Sequence, residues 1–153
     1  MSRFTIRALV SEDFAALASL ENDVFAAMGE TVLCPHYLRL CTEIFSASCF
    51  IALESSGSAG PRERPIGYLL SFMRGRDVYC TTLAVIPEYQ KTRVTVNLLG
   101  AFVRHVIDHV DTCWFTVKED NAPARALHRM LGATEVGRRK DFYGPGEIGR
   151  AHV

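Results

Sequence analysis

Between Val78 and Val117 the hydrophobic period changes twice, and few folds accommodate that order. Residues 78–86 run as a strand of branched and apolar side chains, and Pro87 ends them. Leu98, Leu99, Phe102, Val103, Val106, Ile107 and Val110 then form one broad stripe at helical spacing, which predicts a long amphipathic helix over 94–110. Residues 112–117 return to a short strand. With a helix between them, the two strands are expected as parallel neighbours in a right-handed crossover.

The flanking segments extend this α/β core. Residues 4–9 suggest a strand, and Ser11 is expected to cap a helix carrying Glu12 and Asp13 in its first turn. Phe14, Leu17, Leu20, Val24 and Met28 recur along that helix, while Glu21, Asp23 and Glu30 could attract a cationic amine but are read on an amphipathic helix as facing water. A second helix starts at Pro35, with Leu38, Cys41, Ile44 and Phe45 on one side. Residues 48–54 and 66–73 are strand-like, joined by a Ser- and Gly-rich connection over 55–61. Turn chemistry at 74–77 leads into the strand at 78, so three consecutive strands suggest an antiparallel meander. Asn121 caps a last helix, Pro123 suits its first turn, and Gly132 stops it. Residues 134–153 have room for two terminal strands around Gly144-Pro145-Gly146.

Composition narrows the function. The chain has 153 residues, 17 basic and 17 acidic, which is one globular domain over 1–153 without the charge that non-specific nucleic-acid binding needs. No apolar run approaches the roughly 20 residues of a membrane span, so neither nucleic acid nor membrane is expected as a partner. The five cysteines, odd in number and without a C-x-x-C pair, read as reduced thiols of a cytoplasmic protein. His105 and His109 lack a third ligand nearby in sequence, so no metal is expected.

Two segments carry a resemblance. Leu83-Ala84-Val85-Ile86-Pro87-Glu88-Tyr89-Gln90, and the stretch from Val117 through Asn121, Ala124, Leu127 and His128 to Gly132-Ala133, closely follow the GCN5-related N-acetyltransferase (GNAT) family, the second matching V-x-x-x-N-x-x-A-x-x-L-Y-x-x-x-G-F. The order of elements is similar too. The resemblance implies a mixed, mostly antiparallel sheet of about seven strands with four helices and a V-shaped opening between strands four and five. It implies an enzyme moving acetyl from acetyl-coenzyme A (acetyl-CoA) directly to a primary amine of a small molecule or peptide. A family-fold module that binds CoA or another ligand without turnover is the alternative, and a homodimer is left open.

A helix entered directly from a loop offers unpaired N–H groups and a positive dipole end, a site for pyrophosphate. By resemblance this is Gln90, Lys91, Thr92, Arg93, Val94 and Thr95, where the family reads R/Q-x-x-G-x-G/A. Gln90 is kept, and Arg93 and Thr95 fill the two small positions. Lys91 and Arg93 bring charge there, and Thr92 and Thr95 bring hydroxyl donors. The resemblance assigns the thioester carbonyl to the backbone N–H of Val85, beside Leu83 and Ala84, and the pantetheine arm to Asn121 and Ala124.

The family's acid, the tyrosine of its L-Y pair, corresponds to His128, whose ordinary pKa near 6.5 allows a charged fraction at neutral pH. Packing as a partly exposed helix residue is the plain alternative. Tyr143 is the second candidate acid. The family's two glutamate base positions correspond to Thr116, which cannot be a base, and to Tyr79, a catalytic candidate that serves as a base only with a lowered pKa. Glu88 and Asp77 flank the strand and could act through water. His128 also belongs to the expected cofactor-binding set.

Overall fold

The computed structural model describes residues 3–30, 32–55 and 63–153. Seven strands, β1 (Arg3–Ala8), β2 (Phe50–Ser55), β3 (Glu63–Arg74), β4 (Asp77–Val85), β5 (Thr112–Lys118), β6 (Glu135–Gly144) and β7 (Glu147–His152), form one sheet in the order β1-β2-β3-β4-β5-β7-β6. Every neighbouring pair is antiparallel except β4 and β5, which run parallel over Asp77↔Thr112 to Cys80↔Phe115. The four helices are α1 (Phe14–Phe25), α2 (Pro35–Glu43), α3 (Arg93–Val106) and α4 (Ala122–Met130). The twofold change of period thus produces the crossover expected of it.

Side-chain alternation places helices on both faces of the sheet. A Cβ on Gly67 of β3 would meet Leu98 of α3, while the next residue, Tyr68, reaches Glu21 of α1 on the opposite face. Leu17, Leu20 and Val24 of α1 and Val94, Leu98 and Phe102 of α3 are all buried, with Ile51, Ile66, Leu69 and Leu70 between them. All five cysteines are free thiols.

Several local expectations need correction. Ser11 does not cap α1: it lies in a short 3-10 turn over Ser11–Asp13 and donates to Glu43 at 2.5 Å. Asp13 stands at the N-cap of α1 without a side-chain cap bond to it; its carboxylate closes the preceding 3-10 turn, accepting the Val10 N–H at 2.8 Å while Arg7 grips both its oxygens. The charge-assisted pair makes this carboxylate the stronger acceptor. The long helix ends at Val106 rather than 110, and Ile44 and Ile107 are exposed. Glu21 does not face water but is 1% exposed. It sits in the buried stripe because Leu17 lies one turn before it and Val24 three residues after. The expected connection over 55–61 falls outside the described residues from 56 onward. No helix among the described residues is long and apolar enough to cross a membrane.

Candidate active site

The sheet opens where β4 and β5 part. The β3–β4 register slips by one residue between Leu70↔Thr82 and Ser71↔Cys80, leaving Thr81 as the extra residue of a bulge. A bulge bends its strand and adds twist. Pairing of β4 with β5 stops at Cys80↔Phe115, and from Phe115 onward β5 is joined to β7. Thr81 donates to the Leu70 carbonyl at 3.2 Å and takes the Tyr37 hydroxyl at 2.5 Å, so the bulge is held from both sides.

Beyond the bulge, β4 presents backbone donors to the gap. The Ile86 N–H donates to the Ile66 carbonyl at 3.0 Å, which makes Ile86 and Ala84 the residues bonded to β3. In an antiparallel ladder the intervening residues aim their N–H groups the other way. Leu83 and Val85 therefore point theirs toward the edge that β5 has left. Gln90 secures this exit, its Nε2 donating to the Val85 carbonyl at 3.1 Å.

A cavity of about 290 Å³ fills the opening. One wall holds Thr81, Thr82 and Leu83 of β4; the other holds Thr116, Val117 and Lys118 of β5 with Asn121, Ala124, Leu127 and His128. Phe25, Met28, Glu30 and Leu33, around the end of α1, close a third side with Glu21, and Tyr143 of β6 adds its ring. Of the residues proposed from sequence, Leu83, Asn121, Ala124, His128 and Tyr143 line this cavity.

The others sit elsewhere. Ala84 and Val85 are buried in the strand, so only their backbone is on offer. Residues 90–95 lie outside the cavity wall and start α3, with Lys91 and Arg93 exposed and Val94 buried. Thr92 is the cap, accepting the Val94 N–H at 3.3 Å and giving its hydroxyl hydrogen to the Tyr89 carbonyl at 2.7 Å. Its expected donation to phosphate is thereby lost. Glu88 is tied to both terminal nitrogens of Arg64 at 3.2 Å, outside the cavity, and that guanidinium holds its carboxyl below the usual range. Its expected role as a base through water does not fit that placement. Tyr79 meets the Thr116 hydroxyl at 2.5 Å and does not line the cavity.

His128 departs most from expectation. It is 7% exposed, with its ring against Phe115 and its Nδ1 3.2 Å from Nδ1 of His152. Burial, then the neighbouring imidazole, pushes its pKa down to about 4, so the ring is neutral at neutral pH. Burial raises the Tyr143 hydroxyl instead, against the opposing effect of the nearby Thr116 hydroxyl. The phenol therefore keeps its proton. Asn121 caps α4 by accepting the Ala124 N–H at 3.2 Å, which leaves its side-chain nitrogen for the cavity.

The sequence reading missed Lys118, while Glu21 and Glu30, which it named for a cationic amine but turned to water, both line the cavity. Lys118 binds Glu30 near the end of α1 and, at 2.9 Å, Glu147 at the start of β7. No local pattern signals these pairs, because 88 residues separate Lys118 from Glu30.

The acetyltransferase (GNAT) family model matches residues 14–133. The chain belongs to this family. A curated relative, the [ribosomal protein bS18]-alanine N-acetyltransferase of Escherichia coli strain K12, is 35% identical over 66 residues. That stretch is 40% of this GNAT chain and 42% of the relative, so the match spans less than half of either. Among solved structures, Arabidopsis thaliana NAA60 in complex with acetyl-CoA aligns at TM-score 0.80 and 18% identity, covering 98% of both chains. Diaminobutyrate acetyltransferase EctA of Paenibacillus lautus, in complex with its substrate L-2,4-diaminobutyric acid and CoA, aligns at 0.75 and 14%, covering 99% of this chain and 95% of that one. At such identities these two structures speak for the GNAT fold alone.

Proposed function

We propose that this GNAT protein moves the acetyl group of acetyl-CoA to the primary amine of a peptide or small molecule. The observation that carries the reading is the pair of Leu83 and Val85 N–H groups turned toward the edge of β4 that β5 has left. Fixed backbone donors cost no reorganisation when charge develops on a carbonyl oxygen. Acetyl-CoA would supply an activated acyl group as its thioester.

The residues present fit such a ligand. The first turn of α3 carries the N–H groups of Arg93 and Thr95, which have no intrahelical acceptor, at the positive end of the helix dipole. The exposed Arg93 and Lys91 side chains add charge beside them, so a diphosphate would be held by guanidinium and ammonium as well as by backbone. Asn121 and Ala124 would flank the pantetheine arm, and the Val85 N–H would hold the carbonyl oxygen. Tyr143 Oη, protonated and on the cavity wall, is the proton donor for the departing sulfur. The neutral ring of His128 shapes that wall beside it.

No carboxylate stands at either family base position, since Thr116 and Tyr79 bond to each other there. The acceptor amine then loses its proton to solvent. The same observation favours a second reading, a GNAT-fold module that binds CoA without turnover. Residues 1–153 act as one unit in both readings, in keeping with a single sheet from Arg3 to His152. Every group named comes from one chain, so neither reading requires a homodimer. Five free thiols suit a reducing compartment such as the cytoplasm.

The test is thiol release from acetyl-CoA with a panel of amines: Ala-, Ser- and Met-initiated peptides, N-terminally blocked lysine peptides and short diamines. Amine-dependent release supports transfer. A thermal shift with CoA, about 2.7 kcal/mol at one hundred times the dissociation constant, without release on any amine supports the binding module.

A further inference from the structure

Glu21 is a carboxylate in the core of the molecule whose partners are both neutral. Its Oε1 accepts the Leu33 N–H at 2.8 Å, and its Oε2 accepts the hydroxyl of Tyr68. Burying a charge without a counter-ion is costly, and a leucine would pack among Leu17, Leu20 and Val24 without that cost. Burial accordingly raises its pKa, against the opposing effect of the Leu33 bond.

What Glu21 joins gives the reason for its presence. Leu33, with Phe25, Met28 and Glu30, forms the cavity side contributed by the chain around and after α1. Tyr68 lies on β3 directly opposite Ala84, the neighbour of Val85. One carboxylate therefore spans from the wall that would face the acceptor to the strand that carries the carbonyl-binding amide. Glu30 ties the outer end of the same wall to Lys118, through partly exposed groups that solvent screens.

We propose that Glu21 is the positioning residue of the acceptor site, clamping the Leu33 wall to β3 so that a bound amine meets the carbonyl held by Val85. This inference rests on the acetyl-transfer reading. Both oxygens of Glu21 already hold donors, so it acts through Leu33 and Tyr68 rather than on the substrate.

Three variants test it: Glu21→Leu, Glu21→Gln and Tyr68→Phe. Glu21→Leu removes both acceptors, whereas Glu21→Gln keeps both bonds, its oxygen accepting the Leu33 N–H and its nitrogen donating to the Tyr68 hydroxyl oxygen, and so serves as the conservative variant. With the panel amine that the parent chain acetylates fastest, Glu21→Leu should raise the acceptor KM about tenfold, since small misplacements of a reactant are costly. Its KM for acetyl-CoA should stay within about twofold, Glu21→Gln should keep most of the parent's acceptor KM, and Tyr68→Phe, which releases only the β3 end, should fall between them. Hydrogen exchange at Leu33 should quicken in Glu21→Leu while β3 and β4 stay protected, and stay near the parent rate in Glu21→Gln. Equal rises in both KM values, exchange that quickens across the whole sheet, or unchanged protection at Leu33 in Glu21→Leu would overturn the proposal. A parent chain that acetylates no panel amine defeats the transferase reading instead; the exchange comparison still decides whether Glu21 clamps this wall.

Discussion

The Nδ1 atoms of His128 and His152 lie 3.2 Å apart, so one imidazole donates and the other accepts, and a second proton on this pair leaves two donors facing each other. His128 is buried against Phe115 with its pKa held at about 4. The unfolded chain binds a proton there near 6.5. Between these values the unfolded state carries more protons than the folded one, so stability rises with pH through the window and is lost as pH falls from 6.5 toward 4. For His128 the loss amounts to about 3 kcal/mol. Urea midpoints from pH 7 to pH 4.5 should fall less steeply in His128→Phe than in the parent chain. Parallel curves would show that His128 does not titrate between the two states.

Tyr143 lines the cavity, and burial keeps its hydroxyl protonated. Tyr143→Phe should lower kcat by about a hundredfold, a usual contribution for a positioned acid, with the KM for acetyl-CoA nearly unchanged. His128→Phe should lower kcat far less. Steady-state kinetics on the two variants separates them, and the reverse order would return the acid role to the imidazole.

The fold was legible in the sequence where one local period decided the structure. The crossover, the meander and the Asn121-capped helix all follow from spacing and cap chemistry within short windows. The segments that carry the resemblance put Val85 at a strand exit and Asn121 at a helix cap, and both positions are found there, because such backbone geometry survives side-chain change. What stayed hidden depends on tertiary contact. Thr92 spends its hydroxyl on Tyr89, Glu88 is taken by Arg64, and His128 meets a histidine 24 residues away. Glu21 is turned to water in the sequence reading, although it sits in the stripe of Leu17, Leu20 and Val24, where a carboxylate needs buried partners.

Gly67 lets β3 pass close beneath the site. A Cβ there would stand 2.9 Å from the Ala84 carbonyl oxygen, 3.2 Å from Val85 Cγ2 and 3.3 Å from Leu98 Cδ1. Backbone cannot yield as a flexible side chain can. Gly67→Ala should cost about 1–3 kcal/mol, the usual range for overpacking. Gly137→Ala, whose Cβ would meet only Ala151 at 3.9 Å, should cost far less. Thermal melts compare them, and equal losses would show that the close approach is relieved elsewhere.

With Thr116 and Tyr79 at the family base positions, the acceptor's own ionisation should set the ascending limb of kcat/KM. For a peptide α-amine that limb should have its midpoint near pH 8, and for a lysine amine it should shift upward by about 2.5 units. A common limb near pH 6 for both acceptors would reveal a base on the protein.

The most direct measurement is an amide-resolved titration of the nitrogen-15-labelled chain with acetyl-CoA. The account predicts that the largest perturbations fall on the amides of Leu83 and Val85 at the open edge of β4, on Arg93 and Thr95 at the start of α3, and on the side-chain amide of Asn121. Saturating ligand that leaves the Val85 amide unmoved, or shifts confined to other surfaces, would contradict it.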